Sequence, residues 1–205
     1  MRQTAVWVLA GPALIVVDGQ AQRPLAPIDW KLVDAGLHIA GSGTPARLAA
    51  AVHAALSLTG TPFAVPPAAS DGGFGVDTAQ IASMLGYHGR VNGGVYQLAV
   101  PRAEQVTADG IDLPPSMGLA TAINFQPTGG GHAAITGDFV LIGSEVNAVI
   151  RALRDNGIAI TALHSHMLSE SPRLFFMHYW GNDDALKLAR GLRAALDRMN
   201  VKKPD

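Results

Sequence analysis

The stretch IAITALHSHMLSESPRLFFMHYW, residues 158–180, decides the fold of this chain. Its two apolar segments are rich in β-branched and aromatic residues, which predicts strands over residues 158–168 and 174–180. The connection between them, residues 169–173, has five residues and contains Pro172, as is typical of a hairpin. The sequence therefore predicts an antiparallel hairpin.

Three histidines of this hairpin are predicted to lie on one face of the sheet. His164 and His166 are two residues apart in a strand, so their side chains project from the same face about 7 Å apart. With this turn, His164 pairs with His178 and His166 with Phe176. Three imidazoles held by rigid strands are a standard ligand set for a catalytic Zn²⁺, with the fourth position left to water or substrate. The alternative, that each histidine is structural or solvated, suits a single histidine better than three on one face.

Two carboxylates are candidates for a fourth ligand. Glu145 begins a predicted helix beside the sheet, and Asp138 ends a predicted strand. The helix dipole gives Glu145 an equally good structural reason to be there. Strand alternation turns Met167 and Met177 away from the histidines, which argues against a copper site and predicts that both lie in the core.

The elements around the hairpin predict an α+β fold. They are a helix from an Asp77 cap to Gly86, strands over 95–100, 120–125 and 133–140, a helix capped by Ser144 and closed at 156–157, and a last helix over about 183–199. The order helix, three strands, helix, hairpin, helix predicts a mainly antiparallel sheet of about five strands packed against two or three helices.

Composition excludes several classes of protein. The chain has 205 residues, of which 48% are hydrophobic and only 15% charged, so intrinsic disorder is excluded. The net charge is −1 and there is no basic run, so we expect no nucleic-acid partner. Without cysteine, disulfides and thiolate metal sites are excluded, and a metal would have to be held by His and carboxylates.

The first 21 residues are typical of a signal peptide. Arg2 is followed by an apolar stretch over 5–17 and by small residues ending at Ala21. The stretch is too short for a membrane span, which needs about 20 residues. We expect a periplasmic or secreted protein with no membrane span in its mature form; the alternative is an N-terminal core strand.

The remaining chain contains a weak internal repeat. Residues 44–56 align without gaps to residues 184–196, with five identities, and both would be the last helix of a unit. A short helix predicted over 29–37 likewise resembles residues 77–85. The predicted organisation is a signal peptide (1–21), a truncated helical remnant of a first repeat (22–60), a linker (61–76), a complete domain (77–199) and a tail (200–205).

The complete domain resembles the LppY/LpqO family of exported bacterial proteins. The resemblance rests on NGGVY (92–96), PPSMGLAT (114–121), INFQP (123–127), TGDFVL (136–141), TALHSHML (161–168) and PRLFFMH (172–178). Members often carry two tandem copies, and their activity is not established. A cleft between two copies would here require a homodimer, and the remnant's exposed helices would pack either on the complete copy or on a second chain.

The histidine spacing is also similar to the zinc motif of α-acetolactate decarboxylase, with an interval one residue longer between His166 and His178. That resemblance implies the three histidines as ligands of Zn²⁺ or another divalent metal, which would polarise a bound carbonyl or hydroxyl group. It also makes Arg102 and Glu145 candidate catalytic residues. The expected function is a metal-dependent lyase or hydrolase acting on a small carbonyl or hydroxy-acid compound. The alternative is a non-catalytic envelope module that binds a small-molecule ligand and has structural histidines.

Overall fold

A computed structural model describes five parts of the chain: Val6–Ala10, Ala13–Val17, His38–Ala40, residues 43–58 and residues 74–203. The chain divides into two units, Met1–Val65 and Pro66–Asp205. No helix within the described residues is both long and apolar enough to cross a membrane.

The first unit contains three strands and one helix. Strand β1 (Val6–Ala10) pairs antiparallel with both β2 (Ala13–Val17) and β3 (His38–Ala40), and helix α1 spans Pro45–Leu56. Strands β1 and β2 thus coincide with the predicted signal peptide, which stays a prediction. Helix α1 coincides with the helix expected over residues 44–56, whereas the one predicted over 29–37 lies outside the described residues.

The second unit is an α+β domain, as the sequence predicts. Its elements are α2 (Thr78–Leu85), β4 (Arg90–Asn92), β5 (Val95–Pro101), β6 (Val106–Ala108), β7 (Ile111–Leu113), β8 (Ala120–Gly129), β9 (His132–Ile142), α3 (Gly143–Asp155), β10 (Ala159–His164), β11 (Glu170–Ser171), β12 (Leu174–Asp184) and α4 (Ala185–Leu196). The main sheet has six antiparallel strands in the order β10-β12-β9-β8-β5-β4. Asp77 caps α2 and Gly86 ends it in a left-handed conformation, as predicted.

Alternate residues of the central strands face two different cores. Phe139, Leu141 and Met177 belong to the larger core, which the helices complete from one side of the sheet. Val140 and Phe176 are each adjacent in sequence to a residue of the larger core, but they belong to a smaller core. Its other buried members are Val106, Leu119 and Leu174. Since successive side chains of a strand project from opposite faces, the smaller core lies on the face away from the helices. A second sheet, in the order β11-β6-β7, contributes Val106 to it.

The hairpin exists, but its predicted register is wrong. Strand β10 ends at His164, which lies opposite Phe176, while His178 lies opposite Ala162. The connection is therefore longer than the predicted five residues, and it contains β11, which pairs with β6. Within it Met167 packs against the smaller core. The length of the loop determines which residues of a hairpin lie opposite each other. A longer loop therefore shifts every residue pair between β10 and β12.

The predicted cap of α3 is also wrong. Ser144 lies inside the helix, which begins at Gly143 after Ile142. The side chain of Glu145 accepts a hydrogen bond from the backbone N–H of Ile142 at 2.9 Å. The carboxylate in the first turn therefore reaches back to the backbone N–H of the residue that precedes the helix.

Candidate functional site

His164, His166 and His178 come together on the face of the main sheet away from the helices. The ring centroids of His164 and His178 are 4.8 Å apart, and those of His164 and His166 are 5.0 Å apart. The Nε2 atoms of His164 and His166 are 3.1 Å apart. The predicted cluster thus forms, although His166 reaches it from the loop after β10 and not from a strand.

Asp138 is the carboxylate that the structure places against this cluster. It lies opposite His178 in the β9–β12 ladder, and its Oδ1 atom is 2.9 Å from Nδ1 of His178. Oδ1 is enclosed, and the contact does not have the angle of a good hydrogen bond, so the carboxylate and the ring are in close contact only. A carboxylate at Nδ1 favours a proton on that nitrogen and directs the lone pair to Nε2.

Phe176 forms the apolar floor of the cluster. Its ring stacks on His166 at a centroid distance of 3.4 Å and an angle of 5°, and it lies 6.4 Å from the ring of His164. Phe176 is fully buried in the smaller core, whereas Trp180, two residues beyond His178 on the same strand, is 49% exposed. The cluster therefore lies between a part of the sheet that is buried by the smaller core and a part that is exposed to solvent.

The three imidazole rings are stacked and are not arranged to coordinate one metal ion. The rings of His164 and His178 are inclined by only 16°, and those of His164 and His166 by 29°. Within the described residues, no group of three or more His, Cys, Asp or Glu side chains is arranged to hold a metal ion. Coordination by all three histidines would require one or more rings to rotate out of the stack.

Arg102 and Glu145 form a buried ion pair of their own. Nη1 and Nη2 of Arg102 donate to the two carboxylate oxygens of Glu145 at 2.7 and 3.0 Å, and Nη1 also donates to the carbonyl of Val140 at 2.8 Å. The oxygens of Glu145 also accept from the backbone N–H groups of Ile142 and Asn200. These contacts hold the end of β5, the start of α3 and the C-terminal segment together, and they direct Glu145 to Arg102.

Glu104 completes this network, and the sequence analysis missed it. Its Oε1 accepts from Nη2 of Arg102 at 2.9 Å and from the side-chain amide of Asn200 at 3.0 Å. Burial raises the pKa of Glu104, but the hydrogen bonds from Asn200 and Arg102 outweigh it and lower the pKa below its usual value. Burial lowers the pKa of Arg102, and its hydrogen bonds to the two glutamates outweigh that effect and raise it. Arg102 and Glu104 are therefore both charged at neutral pH.

Glu170 is a second residue that the sequence analysis missed. Its side chain is fully buried in the loop that carries His166, where it accepts from the backbone N–H of Leu174 at 3.1 Å and from Nη1 of Arg173 at 3.3 Å. Nη1 of Arg173 also donates to the carbonyl of Met167 at 2.8 Å. Glu170 thus stabilises the loop through its hydrogen bonds with Leu174 and Arg173. An isolated acidic residue in a polar connection carries no sequence signal for such a role.

Comparison with curated proteins and with solved structures finds no significant match. A family profile described as Domain of Unknown Function (DUF1259) matches residues 79–198, which contain the main sheet from β4 onward, the three histidines and Asp138. The match covers more than half of the chain. The chain belongs to this family of uncharacterised domains.

Proposed function

We propose that His164, His166 and His178 bind a divalent metal ion, with Zn²⁺ as the expected metal, and that Asp138 orients His178 as a ligand. The observation that carries this proposal is the distance of 3.1 Å between Nε2 of His164 and Nε2 of His166. Two nitrogen ligands at about 2.05 Å from a tetrahedral metal are about 3.3 Å apart. The first two ligands therefore have nearly the spacing that the metal requires.

The contact between Asp138 and His178 supports the third ligand. Histidines that bind metals usually donate their other ring N–H to a carboxylate or carbonyl, which sets the tautomer and the ring orientation. With Nδ1 of His178 at 2.9 Å from Asp138, Nε2 is the nitrogen that would bind the metal after the ring rotates. Asp138 is then an orienting residue and not the fourth ligand.

Three histidine ligands would leave one position of a tetrahedral metal for a substrate. A metal bound there would act as a Lewis acid that polarises a carbonyl or hydroxyl oxygen. The activity we propose is that of a metal-dependent lyase or hydrolase on a small carbonyl or hydroxy-acid compound.

The stacking of His166 on Phe176 favours the second candidate, a non-catalytic envelope module in which the histidines are structural.

The metal content of protein purified without an affinity tag tests the proposal. We expect about one zinc per chain and a higher melting temperature when Zn²⁺ is added, because a ligand that binds only the native state stabilises it. His178→Ala is expected to abolish both effects, and Asp138→Asn to weaken zinc binding about 10- to 100-fold. His88→Ala, at an exposed loop histidine, is the matched control. A wild-type protein that contains no metal and does not respond to Zn²⁺ would overturn the proposal.

We also propose that the protein is exported and is of the LppY/LpqO type, with residues 22–60 as the remnant of a first repeat. The repeat is supported by α1 and α4, which have 12 residues each and begin and end at aligned positions. Export is supported by Arg2, the apolar stretch over 5–17 and the small residues up to Ala21. N-terminal sequencing of protein from the cell envelope is expected to begin at Gln22; a mature chain that retains Arg2 would contradict cleavage.

A further inference from the structure

A row of polar side chains crosses the main sheet beside the histidine cluster, and it goes beyond the proposed metal site. Gln97 of β5 lies opposite Asn124 of β8. Asn124 lies in turn opposite Thr136 of β9, which lies opposite Trp180 of β12. Directly opposite residues project from the same face of a sheet, and Trp180 follows His178 by two positions on β12. The four side chains, which we call the polar row, therefore share the face of the histidines.

Trp180 is the aromatic member of the polar row. It is 49% exposed, whereas Tyr179, which projects from the other face, is buried in the larger core. A single exposed apolar side chain has no special meaning by itself. Here the indole lies in register with three hydrogen-bonding side chains, and that combination offers a ligand both an apolar surface and polar partners.

The other members of the row can donate and accept hydrogen bonds without carrying a charge. The amides of Gln97 and Asn124 have both N–H donors and a carbonyl acceptor, and the hydroxyl of Thr136 has the same double role. Nδ2 of Asn124 donates to the backbone carbonyl of Thr136 at 3.2 Å, which fixes this amide along the sheet. A side chain that is already fixed loses less conformational entropy when a ligand binds.

Short side chains on both sides keep the polar row accessible. Ala122 precedes Asn124 by two residues on β8, and Ala134 precedes Thr136 by two residues on β9, so both alanines lie on the face of the row. Since the two strands are antiparallel, one alanine lies on each side of the row. The row thus stands above its neighbours in the middle of the sheet.

We propose that the polar row binds a neutral oligosaccharide, with one sugar ring stacked on Trp180. A sugar ring has an apolar C–H face, which is attracted to the negative face of an indole, and its hydroxyl groups both donate and accept hydrogen bonds. The ends of the row are about 14 Å apart at about 4.8 Å per strand, which suits a short chain of sugars better than a single ring. None of the four side chains is ionisable, so a charged ligand would find no counter-charge in the row.

Titration of the full chain with cellohexaose, maltohexaose and chitohexaose, followed by NMR, tests this proposal. We expect at least one of these neutral hexasaccharides to bind, with the largest chemical-shift changes at the polar row. Trp180→Ala is expected to weaken that binding at least about tenfold, because the stacking surface is lost. Gln97→Ala is expected to weaken it about three- to tenfold through the loss of a hydrogen bond.

Leu163→Ala is the matched control. Leu163 is 44% exposed on the same hairpin, but it lies opposite Met177 and thus on the face of the helices, so sugar binding must be unchanged in this variant. The melting temperature of each variant shows whether it is folded.

Wild-type protein that binds none of the three sugars overturns the proposal, as does unchanged binding by Trp180→Ala. Self-association of the wild type that Trp180→Ala abolishes would show that the row pairs with a second copy of the chain, and it overturns the proposal as well. The row needs no metal, so binding is expected to persist in EDTA; binding that disappears there would place the sugar on the metal and overturn the proposal. Zinc content measured on the same samples reports separately on the metal site.

Discussion

Gly137 lies where β9 leaves no room for a side chain against β8, one residue before Asp138. A Cβ atom at this position would lie 1.9 Å from the carbonyl oxygen of Ala122 and 2.7 Å from the hydroxyl of Tyr179. That hydroxyl donates to the same carbonyl at 3.2 Å. Burial, with a smaller effect from the charge of Asp138, raises the pKa of Tyr179 well above its usual value, so the hydroxyl stays protonated as a donor.

Gly137→Ala is therefore expected to destabilise the domain by about 3 kcal/mol, because the strand must move or the hydroxyl of Tyr179 must give up its position. Urea denaturation measures the change in the free energy of unfolding. Gly143→Ala is the matched control: its Cβ would make an ordinary contact of 3.6 Å with Phe175, so we expect a change within about 0.5 kcal/mol. Equal stabilities of the two variants would show that β8 and β9 are not held this closely.

At the scale of the element, the β10–β12 hairpin shows what sequence patterns can and cannot predict. The alternation of apolar residues in β12 correctly places Met177 in the larger core and His178 on the other face. The register depends on where β10 ends, and that depends on the buried carboxylate of Glu170 and on the pairing of β11 with β6. The pairing of β11 with β6 brings Glu170 opposite Ala108, far away in the sequence, so no local pattern contains it.

Sequence patterns likewise predict one part of the candidate site and miss another. The three histidines are predictable because one short stretch contains them, and the strand period of two fixes the face of His164 and His178; His166 joins them from the loop after β10. The pairing of Asp138 with His178 depends on a ladder between strands 40 residues apart, and Arg102 and Glu145 meet only through the fold. Residue type alone made Glu145 and Asp138 equal candidates; the structure places Asp138 beside the cluster and Glu145 in the ion pair with Arg102.

Glu170 is expected to control the loop that carries His166. Glu170→Ala leaves the backbone N–H of the buried Leu174 without its acceptor, so we predict faster hydrogen exchange in residues 165–174 and zinc binding at least about tenfold weaker. Glu170→Gln retains an acceptor and should restore most of the protection. If Glu170→Ala exchanges no faster than wild type, the loop is held by its other contacts, such as that between Ser165 and the carbonyl of Leu174.

At the scale of the whole molecule, the folded domain extends beyond the residues that define its family. The family match begins at residue 79, whereas the second unit begins at Pro66. Phe74 and Val76 pack against the larger core, and the ring of Phe74 meets that of Tyr96 edge-on at 6.3 Å. Asp77, which caps α2, also precedes the match. Phe74 and Val76 fall in the predicted linker because prolines and glycines dominate that stretch of sequence.

Two fragments test whether the folded domain includes residues before position 79, where the family match begins. Residues 66–205 contain the core contacts of Phe74 and Val76 and the Asp77 cap, so we expect a single cooperative unfolding transition. Residues 79–205 lack all three, and we expect a loss of about 2–4 kcal/mol in the free energy of unfolding from lost apolar burial and the lost cap. Phe74→Ala in the longer fragment should account for part of this loss. Equal stabilities of the two fragments would mean that the segment before residue 79 adds nothing to the core.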